Sequence, residues 1–127
     1  MVKEIYRWGP AVVCAAFIFA FSHQSNLTGQ EWIAGYDYVM HFLEYAFFGL
    51  TLVWGTTSGL RSALTLKGAA AVCAVALLYA LSDEWHQSLV PSREASWLDV
   101  AADAVGSIAS VMIVFGAGQG KCRHAPR

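Results

Sequence analysis

The stretch YVMHFLEYAFFGLTLVWGT, Tyr38 to Thr56, decides the fold. It approaches the about 20 apolar residues a helix needs to cross the hydrocarbon core of a bilayer. Its first half nevertheless carries His41 and Glu44, and Asp37 stands just before it. An ionised side chain facing mid-membrane lipid costs at least about 2.5–3.5 kcal/mol. A helix that keeps such residues must turn them toward other helices or hold them near the membrane edge.

Other helices are available. Working outward, apolar runs cover residues 5–21, 66–82 and 97–116, in addition to 38–56. The charges between them separate onto alternate segments. Lys3, Arg7, Arg61, Lys67, Lys121, Arg123 and Arg127 lie in the first run, in the connection between the second and third, and in the tail. Glu31, Asp37, Glu44, Asp83, Glu84, Glu94, Asp99 and Asp103 lie in the first and third connections and the helix ends beside them, with Arg93 as the one base among them. Lys and Arg are retained on the cytoplasmic side of a membrane. The expectation is therefore an all-α, four-transmembrane-helix bundle, N-in/C-in, forming one domain over residues 1–127. Its location would be the bacterial cytoplasmic (inner) membrane, as a multi-pass protein.

Composition agrees: mean hydropathy is +0.47 and 13% of residues are charged. A soluble bundle of four such helices would lack the polar surface to cover itself. The first run resembles a signal peptide in having basic residues before an apolar core, but Ala20-Phe21-Ser22 is a poor small-x-small cleavage site, so an uncleaved helix is expected. Cys14, Cys73 and Cys122 share no metal spacing and fit no disulfide framework. The net charge of −1 argues against a nucleic-acid partner, whose affinity would come from basic residues.

The polar residues of one side form four clusters: Ser22-His23-Gln24; Asp37, His41, Glu44 and Tyr45; Ser82 to Gln87; and Val90 to Ser96, leading into Asp99, Asp103 and Gly106. Residues three or four apart share a helix face. This puts His41 with Glu44 and Tyr45, Asp83 and Glu84 with Gln87, and Asp99 and Asp103 with Gly106, whose missing side chain lets a neighbouring helix come close. The expected result is a pocket at the outer end of the bundle made by His41, Glu44, Tyr45, Asp83, Glu84, Gln87, Arg93, Asp99 and Asp103, supported by Ser22, Gln24, Asp37, Pro91 and Gly106. Acids crowded there cannot all be ionised at once. His41 and Glu44 at i, i+3, with Glu84, are the candidates for a divalent metal, as in carboxylate-bridged bundles. Arg93 can hold a phosphate or carboxylate by two parallel hydrogen bonds, or simply balance the neighbouring acids.

The segments DYVMHFLEYAFFG (37–49) and SDEWHQSLVPSREASWLDVAADAVG (82–106) resemble the VanZ-like family of small bacterial membrane proteins, named for a teicoplanin-resistance protein. The resemblance runs from about Ser22 to Gly106, and its pattern falls on Asp37, His41, Tyr45, Asp83, Glu84, Gln87, Pro91, Arg93, Asp99, Asp103 and Gly106. The lysine usual after the first acid is Tyr38 here. The resemblance implies an integral membrane protein of the cell envelope and leaves open whether it is an enzyme. Together the residues and the resemblance favour a pocket that binds or acts on an envelope lipid, lipid-linked sugar or lipoglycopeptide, with an effect on glycopeptide (teicoplanin) susceptibility. A non-catalytic structural or accessory membrane subunit is the second reading, and a small proton- or ion-coupled transporter the third. Partners would be the lipid bilayer, such a ligand and, through the small residues Gly68, Ala69, Ala70, Ala71 and Ala74, a second copy of the chain.

Overall fold

A computed structural model describes residues 2–23, 36–91, 93 and 95–123. Four helices follow in order: α1 (Val2–Ser22), α2 (Tyr36–Thr56), α3 (Leu66–Gln87) and α4 (Trp97–Arg123), with no strand among the described residues. Each expected run is a helix. Two helices run past their apolar runs: α3 continues through Gln87, with the Ser82–Gln87 cluster as its last turns, as expected, and α4 continues through Arg123.

The contacts between helix ends set the directions. Arg7 near the start of α1 donates from Nε to the carbonyl of Gly55 at the end of α2. At the other end Arg93, just after α3, reaches the Phe21 carbonyl of α1 (3.3 Å), and His41 of α2 meets Asp103 of α4 (3.0 Å). Thus α1 and α3 run one way and α2 and α4 the other. Lys3, Arg7, Arg61 and Lys67 gather at one end, with Glu4 beside Arg7, and His41, Asp83, Glu84, Asp99 and Asp103 at the opposite end.

Burial is inverted relative to a water-soluble protein. Asp103, Ser107 and Gln87 are at most 2% exposed, whereas Leu78 is 67% and Ile113 70% exposed. Phe17, Val39, Phe47 and Met112 also face outward. Such a continuous apolar exterior marks a lipid-facing surface. Three helices are long and apolar enough to cross a membrane: Lys3–Ser22, Leu66–Gln87 and Trp97–Gly118. The second helix has the length but falls short in composition among these spans, because it carries the polar groups that it buries against its neighbours: His41, Tyr45 and Thr51 are all enclosed.

The α2–α4 seam is the closest packing in the bundle. A Cβ on Gly106 would collide with the Phe42 carbonyl and the Ala46 amide, and one on Gly49 with the hydroxyl of Ser110. Small residues of this kind allow helix backbones to approach where no hydrophobic drive favours association. The hydroxyls in the seam bond mainly to nearby carbonyls: Thr51 to Phe48 (2.6 Å), Ser110 to Ser107 (2.7 Å), and Ser107 across to Tyr45 (3.3 Å). Aromatic rings of Tyr45, Phe48 and Tyr79 fill the space toward α3, and the Tyr79 hydroxyl ties α3 to the Ala15 carbonyl of α1 (2.6 Å).

Pro10 lies well inside α1 rather than in its opening turn. Proline lacks the N–H that would bond the carbonyl four residues back; that carbonyl, on Tyr6, instead accepts from Nε1 of Trp54 (3.4 Å). Trp8 packs on Gly55, so the tryptophans of this end join α1 to α2. Thr65 caps α3 by accepting from the Gly68 amide (3.1 Å), a role suited to a short hydroxyl side chain.

Candidate functional site

The acidic end is assembled from the last turns of α1 and α3 and the first turns of α2 and α4. His41 occupies its centre. Its Nδ1 lies 3.0 Å from Oδ1 of Asp103, and its Nε2 lies 4.0 Å from Oδ2 of Asp99. The two acids sit one turn apart on α4, so their side chains stack on one face. An ionised carboxylate accepts only, so against Asp103 the imidazole donates from Nδ1, while Nε2 faces Asp99.

Glu84 reaches the same place from α3. The backbone amide of Ser96, just before α4, donates to its Oε2 (2.7 Å), while the Ser96 hydroxyl caps α4 through the Leu98 amide (3.2 Å). One ligating atom each from His41, Glu84 and Asp99 lies within 4.8 Å of the other two.

Asp83 and Gln87 form a neighbouring layer toward α1. Nε2 of Gln87 donates to Oδ2 of Asp83 (3.3 Å) and lies 3.5 Å from the Ser22 hydroxyl. That hydroxyl also bonds the Ile18 carbonyl (2.9 Å). Arg93 donates from one nitrogen to Oε1 of Gln87 (3.4 Å) and from another to the Phe21 carbonyl (3.3 Å). It is positioned by a turn in which the Arg93 amide bonds the Val90 carbonyl (3.2 Å), with Pro91 at the second position, where its fixed φ suits a turn.

Five buried oxygens of this region have no hydrogen-bond partner among the described residues: the Tyr45 hydroxyl, Oδ1 of Asp83, Oε1 of Glu84, Oδ1 of Asp99 and Oδ2 of Asp103. Buried polar groups are paired in the great majority of cases. Five orphans at one end is a concentration that packing alone does not account for.

Several expected members sit apart. Glu44 lines a groove of about 570 Å3 between α1 and α2, with Pro10, Cys14, Phe17 and Phe47. Asp37 and Pro91 are exposed. Gly106 contributes a close approach of α2 rather than a polar group. Gln24, Glu31, Trp32, Ser92 and Glu94 lie outside the described residues. Helical period does not reveal Ser96 as a partner of Glu84, because Ser96 comes from the loop before α4. Nor does it pair His23 with His86, whose ring nitrogens are 3.3 Å apart beside Phe19; the signal available is that each ends a helix running in the same direction.

A second opening leads to the cluster. A cleft of about 280 Å3 between α3 and α4 is lined by Glu84, Ser96, Trp85, Trp97 and Leu81. Both tryptophans are exposed at its rim.

The family model described as VanZ/LLP1 matches residues 6–117. No curated protein and no solved structure matches the chain.

Proposed function

The chain belongs to the VanZ/LLP1 family, and from that membership we propose a ligand-binding protein of the bacterial cytoplasmic membrane. In this reading it has four spans with both termini inside, and its His41–carboxylate cluster binds an envelope lipid, lipid-linked sugar or lipoglycopeptide at the outer face. The carrying observation is the set of orphaned oxygens on Tyr45, Asp83, Glu84, Asp99 and Asp103. Each buried polar atom left unpaired costs about 1–3 kcal/mol. A scaffold gains nothing by keeping five of them together, whereas a polar ligand gives them partners.

Charge supports the orientation. The basic end holds Lys3, Arg7, Arg61 and Lys67, which retention of Lys and Arg would keep inside. The acidic end then faces out. The second helix serves as the fourth span because its polar groups face other helices rather than lipid. The cleft between α3 and α4 gives a headgroup a way to Glu84 from the side. The apolar groove between α1 and α2 has the lining to take an acyl chain.

The test is extraction and mass spectrometry of lipids carried by the detergent-purified protein, wild type against Asp99→Asn. A phosphorylated or glycosylated lipid near one per chain, lost in the variant at equal folded yield, is the expected result. A deletion strain complemented by each variant should show the same difference in sensitivity to lipoglycopeptides. Absence of any bound lipid, together with full complementation by Asp99→Asn, would leave the accessory-subunit reading. That reading has its own support in the chain Arg93–Gln87–Ser22, which ties the ends of α1 and α3 to the connection before α4 without any ligand.

A further inference from the structure

We propose that His41, Glu84 and Asp99 form a divalent-cation site, with Asp103 as the residue that positions the imidazole. Their ligating atoms lie within 4.8 Å of one another and come from three different helices. Donors sharing a tetrahedral ion with bonds of about 2.1 Å lie about 3.4 Å apart, so closing the set takes an approach of at most about 1.4 Å between any two of the side chains, divided between them. One imidazole and two carboxylates balance a doubly charged ion and suit Zn2+ or Mn2+.

An acidic cluster alone would not establish a site. The independent observation is that Glu84, 5% exposed, keeps a buried Oε1 without a hydrogen-bond partner among the described residues, and Asp99 keeps a buried Oδ1 in the same state. The other oxygen of Glu84 is held by the Ser96 amide at 2.7 Å, which fixes the carboxylate plane. Asp103 does the same for His41, taking Nδ1 at 3.0 Å. A carboxylate behind a ligating imidazole is the usual outer partner of a metal-bound histidine. Glu44, a helical neighbour of His41, is not in the set; its place is taken by Asp99 from α4.

Three protein ligands leave at least one position open. The cleft beside Glu84 and Ser96 provides an entry path. The identity of what fills that position, a phosphate oxygen of a headgroup, rests on the reading under Proposed function; the ion site itself rests on the geometry alone.

The experiment uses the full chain in detergent, stripped with a chelator and titrated with Zn2+ and Mn2+ by calorimetry, with bound metal counted by elemental analysis. One ion per chain is expected. Glu84→Gln and Asp99→Asn should each weaken binding by more than about 100-fold, and Asp103→Asn by about 10- to 100-fold with stoichiometry retained. A Co2+-loaded sample should change its visible spectrum in Asp103→Asn, which a merely structural role would not cause. His86→Gln, which breaks the separate His23–His86 pair, should bind as wild type. Failure of the wild type to bind either ion overturns the proposal without any need for a variant to fold; so does wild-type affinity in a Glu84→Gln protein of normal folded yield. Metal binding with no lipid recovered would reject the headgroup reading and keep the ion site. Lipid recovered from metal-free protein, with no ion taken up, would do the reverse.

Discussion

Nδ1 of His41 lies 3.0 Å from Oδ1 of Asp103 across the α2–α4 seam, and the acid is fully enclosed. Removing one partner of a buried hydrogen bond leaves the other to bear its own desolvation, about 1–3 kcal/mol. Asp103→Ala is therefore expected to destabilise the detergent-solubilised protein by about 2 kcal/mol. Asp103→Asn, whose amide oxygen still accepts from the imidazole, should cost clearly less. Thermal unfolding followed by circular dichroism separates the two; equal losses would mean that charge, not hydrogen bonding, holds the contact.

The glycines of the seam give a graded series. A side chain at Gly106 would run into backbone of α2 at Phe42 and Ala46, which cannot swing aside, whereas at Gly49 the closest obstacle is the Ser110 hydroxyl. Gly106→Ala should cost about 1–3 kcal/mol as overpacking, more than Gly49→Ala. Gly116→Ala meets nothing within 4 Å and should stabilise α4 by up to about 1 kcal/mol. Unfolding temperatures in one detergent decide the order; a harmless Gly106→Ala would mean that the seam is looser than described.

Arg93 bridges Gln87 and the Phe21 carbonyl from two nitrogens of one guanidinium. An ammonium is a single point donor and cannot span both. Arg93→Lys should lower stability by about 1 kcal/mol and loosen the loop before α4, seen as faster amide exchange at Ala95 and Ser96. If exchange there is unchanged, the bridge is not what orders the loop.

For orientation, reporter fusions after Gly118 and near Gly59 are expected to register as cytoplasmic, and those near Gly29 and Ser92 as external. An external signal at Gly59 would invert the molecule and move the His41 cluster to the inner face.

The helices were legible in the sequence because each is a long apolar run bounded by polar residues, and the sorting of charge to two ends was legible because topology alone produces it. The end of α3 was legible too: its apolar run stops at Ser82, but the Ser82–Gln87 cluster reads as its last turns, where Asp83, Glu84 and Gln87 are buried inside the bundle. The stripe containing His41 is wider than one face: at about 100° per residue, Glu44 and Tyr45 fall on opposite flanks of His41. Tyr45 is enclosed, and Glu44 lines the groove toward α1. The approach of α2 at Gly106 was readable from its place on the Asp99–Asp103 face. The Ser96–Glu84 bond was not, since nothing in a loop's composition fixes which helix it returns to.

The burial of polar groups on α2 bears on how the chain is made. The partner of His41 lies 62 positions downstream, so during synthesis α2 leaves the ribosome with its imidazole and acids unmatched. On the four-span reading, the insertion machinery would meet a segment too polar to partition into lipid alone and would have to hold it until α4 arrives. A chain truncated before Trp97 should then insert α1 and leave α2 in water, which makes assembly order, rather than hydropathy, the factor that sets how many times this protein crosses the membrane.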